Sequence, residues 1–239
     1  MTAAALAAKE PRRQVQRRGT RAATQQKLDA LLATAAALIA EKGFEATSMR
    51  DVSRASRVSL AGLYHYASSK EELLYQIQYR TFARLLAAQQ RVAVRPGTPE
   101  KRLRRLVVGH LEFFASHPNE LKVCTYELES LNGKRYRITE ELRRQYYRVM
   151  AHVLAELMGE PSDSNQESRA SRHTALYIFG MLNWIFMWYD PERYGSVEKI
   201  GEEMIDLVLY GVTRPGKRGR TSGRRVKKGT RKHEPSAAR

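Results

Sequence analysis

Apolar residues along this 239-residue chain recur at helical spacing and show no strand-like alternation of useful length, so the pattern predicts an all-α protein of about nine helices. A lead-in helix runs from Leu28 to the turn Gly43-Phe44. Ser48 stands three residues before Asp51, a spacing that caps a helix from both sides, and Met49, Val52 and Ala55 then share one face. Arg57-Val58 makes a turn. Ser59 caps a second short helix, Leu60 to Tyr66, in which Leu63 points inward and Leu60, Ala61, Gly62, Tyr64 and His65 stay outward. Ser69 and Glu72 form a stricter capping box that starts a third helix through Leu73, Leu74, Ile77, Phe82, Leu85 and Leu86.

The remaining stripes are longer. Leu103, Leu106, Val107, His110, Leu111 and Phe114 lie on one face of a helix that ends at His117-Pro118. Pro118 opens the next helix, with Leu121, Cys124, Leu128 and Leu131 on a common face. Ile138, Leu142, Tyr146, Val149, Val153 and Leu157 line another, which stops at Gly159-Glu160-Pro161. The polar stretch Ser162 to Ser168 reads as a loop. Helices from about Ala170 to Tyr189 and from Ser196 to Val212 follow, broken at Asp190-Pro191. The apolar run Ala175 to Tyr189 is too short to span a bilayer and is interrupted by Asn183, so it reads as a helix buried on all sides.

Composition bounds the function classes. One cysteine, Cys124, excludes an intramolecular disulfide, and no signal-peptide pattern precedes the helices, so a reducing, cytoplasmic and nucleoid-associated setting is expected. The formal charge of +17 is concentrated at the ends: residues 1–24 carry a net +5 and residues 214–239 a net +10, leaving +2 for residues 25–213. Both ends are basic and poor in apolar residues, and are expected to be disordered. The first would lie along phosphates or the minor groove; the second is either a sequence-blind attractor of polyanions or a solubilising tail.

Two short helices joined by a tight turn, followed by a freshly capped third, are how a helix-turn-helix reader of DNA is built, with the second helix as the candidate for the major groove. The stretches Thr47-Ser48-Met49-Arg50-Asp51-Val52, Val58-Ser59, Gly62-Leu63-Tyr64-His65-Tyr66 and Ser69-Lys70-Glu71-Glu72-Leu73 resemble the DNA-binding half of the TetR/AcrR family of bacterial transcriptional regulators. The resemblance implies a DNA-binding domain at 25–72, a helical ligand-binding and dimerisation domain at 73–213, and DNA contacts from Thr47, Ser48, Arg50, Ser59, Leu60, Ala61, Gly62, Tyr64, His65 and Lys70. Two positions depart from the family pattern. Leu60 stands where a polar or basic residue is common, and Ala67, where an aromatic residue usually closes the helix, implies a looser pack beneath Tyr66.

The second half is similar to the effector domains of TetR-type regulators of fatty-acid, aromatic-acid and sterol-side-chain breakdown, through His117-Pro118, Glu127-Leu128-Glu129-Ser130-Leu131, Gly180-Met181-Leu182-Asn183-Trp184 and Trp188-Tyr189. That similarity implies a repressor that leaves its palindromic operator on binding an acyl-CoA thioester; a regulator of efflux or stress genes answering a non-CoA amphiphile, and an architectural DNA-coating protein, are the alternatives. Lys134, Arg135, Arg137, Arg143, Arg144 and Arg148 would receive a polyanionic head. The ligand-binding candidates are Tyr126, Glu129, Arg143, Tyr177, Asn183, Trp184, Met187 and Trp188, although a near-continuous apolar helix carrying Trp184, Trp188, Tyr177 and Phe179 is more often core or dimer interface than pocket, and Tyr126 and Glu129 also suit the surface. His110 on its apolar stripe reads as a hydrogen-bonded core residue. A homodimer is expected, with the last two helices forming a four-helix bundle that buries some of Phe179, Leu182, Ile185, Ile205, Leu207 and Leu209. No paired cysteines accompany His110 and Glu112, and no glycine-rich phosphate loop or nucleophile elbow occurs, so no enzyme, metal or cofactor is expected.

Overall fold

The computed structural model describes residues 9–160 and 168–212, with side chains from residue 22 onward. Ten α-helices and two 3₁₀ turns occur among these residues, and no strand. They are α1 (Lys9–Lys42), α2 (Met49–Ser56), α3 (Leu60–Tyr66), α4 (Lys70–Ala93), α5 (Pro99–Ala115), α6 (Pro118–Tyr126), α7 (Gly133–Leu157), α8 (Arg169–Asn183), α9 (Pro191–Tyr194) and α10 (Val197–Tyr210). Residues 9–24, expected to be a disordered arm, lie within α1. Their Arg, Gln and Ala are good helix formers, and lengthening a helix already nucleated downstream carries no second nucleation cost. The loop expected at 162–168 falls, apart from Ser168, outside the described residues, as does the basic tail.

Local chemistry sets the helix starts. Ser48, Ser59, Ser69, Thr98, Ser168 and Ser196 each accept a backbone N–H from three residues ahead. Ser48 and Asp51 form the reciprocal box: Ser48 Oγ accepts from Asp51 N at 3.2 Å and Asp51 Oδ2 accepts from Ser48 N at 3.0 Å. The Ser48 hydrogen bonds hold the Asp51 carboxyl below its usual pKa.

The apolar faces form two clusters. The first joins α1, α2 and α3 to the start of α4, with Leu31, Ala35, Val52, Leu63, Leu74 and Ile77 at 3% exposure or less, and takes in Val123 and Leu131 from the body. The second fills the body from Leu85 to Ile205. Helix α4 therefore belongs to both, and the boundary expected between residues 72 and 73 runs through a continuous helix. In the body α10 lies so close on α5 that a Cβ at Gly201 would meet Val108 Cγ2 at 2.9 Å. Arg104 ties the same pair, donating to Glu100, Glu202 and Asp206. The Ala170–Tyr189 helix is shorter than expected: α8 ends at Asn183, and Ile185–Met187 is a 3₁₀ turn. Among the described residues no helix is long and apolar enough to cross a membrane.

Candidate functional site

The outer surface of α2 and α3 is the first candidate site. Leu63 is 0% exposed and anchors α3 in the head core, which turns Ser59, Ala61, Tyr64 and His65 to solvent. Leu60 and Gly62 are half-buried; a Cβ at Gly62 would meet Ser59 Oγ at 3.1 Å, so the first turn of α3 is tightly fitted to its cap. The turn before it depends on Arg57 in the left-handed region at φ 57°, with Ser53 Oγ donating to Val58 O at 2.7 Å. Ser48 and Arg50 are exposed beside it. Ala67 is 2% exposed within the head core, and Gln76 Nε2 donates to Tyr66 O at 3.0 Å, so α3 ends on a closed contact rather than a loose one.

Two expected DNA contacts are occupied elsewhere. Thr47 is 2% exposed, and its hydroxyl donates to Gly43 O at 2.8 Å, closing the turn after α1. Lys70 turns inward: Nζ donates to Phe44 O at 2.9 Å and Glu45 O at 3.3 Å and lies 4.2 Å from the Phe44 ring centre. Both hold the head together because the backbone carbonyls of the turn after α1 need donors.

The head is fastened to the body through Glu127. Its Oε1 accepts from Phe44 N at 3.0 Å and its Oε2 from Ser130 Oγ at 2.7 Å, while Gln78 Nε2 donates to Glu127 O at 2.8 Å. Arg135 pairs with Glu72 across the same junction. Along the chain Glu127 stands out only as part of a similarity motif; a contact over 83 positions leaves no local signal.

The body contains a cavity of about 490 Å³ between α4, α5, α6, α7 and α8. Its deep wall is made of buried side chains: Leu85, His110, Phe114, Leu121, Cys124 and Tyr146. Thr125, Arg143, Arg144, Leu176 and Gly180 are exposed lining residues and mark the mouth. His110 Nδ1 and Tyr146 Oη are 2.6 Å apart, with the rings nearly parallel, and Phe114 and Phe179 pack against the imidazole. Burial drives the His110 pKa down to about 3, so the ring is neutral near pH 7, and pushes the Tyr146 hydroxyl upward. Cys124 is raised well above the usual thiol value, chiefly by burial, and stays a thiol.

Of the expected ligand residues, Arg143 and Asn183 line this cavity. Tyr126, Tyr177, Trp184, Met187 and Trp188 do not; they are 39–67% exposed on the outside, and Glu129 is exposed as well. The apolar run is thus covered on one side only, because α8 packs on the body with Ala175, Ile178 and Leu182 and leaves Leu176, Tyr177 and Trp184 exposed. The interface expectation shifts accordingly. Leu182, Ile185 and Ile205 are core residues at 0–5% exposure, Phe179 lines the cavity, and Leu209 is half-buried against the body cluster, whereas Leu207 is 44% exposed. The basic cluster divides too: Arg143 and Arg144 reach the cavity mouth, where Arg144 pairs with Glu140, another lining residue, at 3.4 Å, while Arg135 is spent on Glu72 and Arg148 pairs with Glu141.

Residues 31–77 match the family of bacterial regulatory proteins of the tetR type, and residues 96–212 match the tetracyclin repressor-like C-terminal domain. The chain belongs to the TetR family. It is a TetR-family transcriptional regulator similar to the HTH-type transcriptional repressor KstR2 of Mycobacterium tuberculosis, at 25% identity over 193 residues, 78% of this chain and 92% of that protein. A TetR-family transcriptional regulator from Bordetella parapertussis shares its fold with a TM-score of 0.72 at 26% identity, covering 77% of this chain and 95% of that one. AibR in complex with isovaleryl coenzyme A and operator DNA matches with a TM-score of 0.64 at 26% identity, over 76% and 97% of the two chains.

Proposed function

We propose that this TetR-family regulator is a repressor of catabolic genes that binds a palindromic operator as a homodimer and is released when an acyl-CoA thioester enters the body cavity. The carrying observation is the cavity itself, with a buried apolar interior and Arg143 and Arg144 at its mouth. An acyl body gains from leaving water inside it, and guanidinium groups at the rim suit a phosphorylated head. The solved complex of AibR, which pairs isovaleryl coenzyme A with operator DNA, and the repressor KstR2 lend support from related chains. Ser48, Arg50, Ser59, Ala61, Tyr64 and His65 form the surface for the major groove, with Leu60 and Gly62 setting how closely α3 approaches. The exposed apolar residues Leu176, Tyr177 and Trp184 of the α8 end and Leu207 of α10 supply the apolar surface of the homodimer. Helix α6 couples the two ends: Cys124 and Thr125 line the cavity, and Glu127, one turn on, holds Phe44 of the head.

The test is the melting midpoint of the full chain across straight-chain and branched acyl-CoA thioesters, free acids and non-CoA amphiphiles, since a ligand of the folded state raises it by mass action. A stabilising thioester that also dissociates the protein from its footprinted operator is the expected result; stabilisation by non-CoA amphiphiles alone would discard the thioester assignment. Tyr64→Ala and His65→Ala should each weaken operator binding about tenfold, with the melting midpoint nearly unchanged.

A further inference from the structure

The deep wall of the cavity contains a polar atom that the protein leaves unsatisfied. His110 is 1% exposed, and its Nε2 has no hydrogen-bond partner. Its Nδ1 is taken by Tyr146 Oη at 2.6 Å. Either group can donate in that contact. With Nδ1–H donating, the Tyr146 proton and Nε2 would both lack a partner; with Oη donating to Nδ1, only Nε2–H goes unmet, so the second arrangement is favoured and the neutral imidazole carries its hydrogen on Nε2. His110 lines the cavity together with Phe114, Leu121 and Phe179, so this covered N–H donor belongs to the cavity wall, and an oxygen reaching it must displace part of that apolar lining.

An unmet buried donor costs free energy, and a ligand oxygen that accepts from it recovers that cost. A plain hydrocarbon chain would fill the space and leave the donor stranded. We propose that the effector carries a carbonyl or hydroxyl oxygen on the apolar body that enters the cavity, and that His110 Nε2–H binds it, with Tyr146 as the residue that positions the proton. The inference rests on the acyl-CoA reading of the cavity and narrows it from acyl groups in general to oxygenated ones. Sites of this kind reject an analogue lacking the oxygen far more sharply than a hydrophobic wall rejects a missing methylene.

The probes are decanoyl-CoA and its 5-, 7- and 9-oxo derivatives, with dissociation constants measured by calorimetry on the full chain. At least one oxo isomer is expected to bind wild type about tenfold tighter than decanoyl-CoA, and His110→Phe should abolish that preference while still binding decanoyl-CoA. Tyr146→Phe keeps the ring and removes only the hydroxyl; it should shrink the preference, which a loss of packing alone would not do, and it serves if His110→Phe fails to fold. Equal binding of all four thioesters by wild type would overturn the role of His110 and leave the acyl-CoA cavity standing, as would a preference that survives in both variants. If neither the thioesters nor the matching free acids bind, both readings fall.

Discussion

In the head, inward-turned polar side chains are satisfied at home: the buried Thr47 donates to Gly43 O, and the half-buried Lys70 donates to two carbonyls after α1. The body behaves differently. Among the described residues, the buried side-chain atoms without partners are Gln78 Oε1, Gln89 Oε1, Arg102 Nε, Arg105 Nη1, His110 Nε2 and Thr139 Oγ1, all from Gln78 onward. The 490 Å³ void beneath α8 is likewise bounded by body helices. A reader of a fixed surface gains from one rigid shape, whereas a receptor must hold space and hydrogen-bonding capacity in reserve.

The largest expected effect tests how tightly the head is packed. Leu63→Ala removes the 0%-exposed anchor of α3 and should cost about 2–5 kcal/mol in urea unfolding, with operator binding lost in parallel. A cost below about 1 kcal/mol would show that the head relaxes as freely as the body.

Acid sharpens the contrast from the other side. The folded-state pKa of His110 is lowered to about 3 by burial, against an ordinary value near 6.5. Between those values the unfolded chain binds a proton that the folded chain refuses, so stability falls as pH drops from 6.5 toward 3. The loss attributable to this ring should reach roughly 2 kcal/mol by about pH 5. His110→Phe should be less sensitive than wild type over that interval; parallel curves would mean that the folded ring is protonated with ease and the body core is not closed around it.

Adding volume should have opposite signs in the two regions. Ala36 is 0% exposed within the head core, and Ala36→Leu should cost roughly 1–3 kcal/mol by overpacking. A Cβ at Gly180 would have nothing within 4 Å, and the residue lines the cavity, so Gly180→Ala meets no clash and gains helix propensity of up to about 1 kcal/mol. Its melting midpoint should hold or rise while thioester affinity falls. Destabilisation of both to the same extent would erase the distinction.

These differences explain what was legible along the chain. Head structure rests on pairs three residues apart, such as Ser48 with Asp51 and Ser59 with Gly62, so its caps, turn and inward Leu63 stand in the sequence. The cavity rests on partners far apart: His110 meets Tyr146 across 36 positions, and Phe179 comes from a third helix. Periodicity marks an apolar face without naming what covers it. That is why Trp184 and Trp188, read as ligand, core or dimer-interface residues, lie outside the cavity and the core, and why Phe179 and Leu182, expected at an interface, face inward.

The smallest predicted effect concerns the one place where the head departs from relaxed geometry. Arg57 is the only described non-glycine residue with positive φ, at 57°, and a side chain there costs roughly 1 kcal/mol relative to glycine. The turn is held by Ser53 Oγ on Val58 O and by Arg57 N–H on Arg54 O, neither of which needs the Arg57 side chain. Arg57→Gly should therefore raise stability by up to about 1 kcal/mol, read as a higher urea midpoint. If operator affinity falls at the same time, the guanidinium is kept for DNA phosphate and the strain is the cost of placing it; if affinity is unchanged, the left-handed arginine is a structural accident of the turn. A lower midpoint would show that the side chain stabilises the head through contacts of its own, and the head's geometry would then be less self-sufficient than its hydrogen bonds imply.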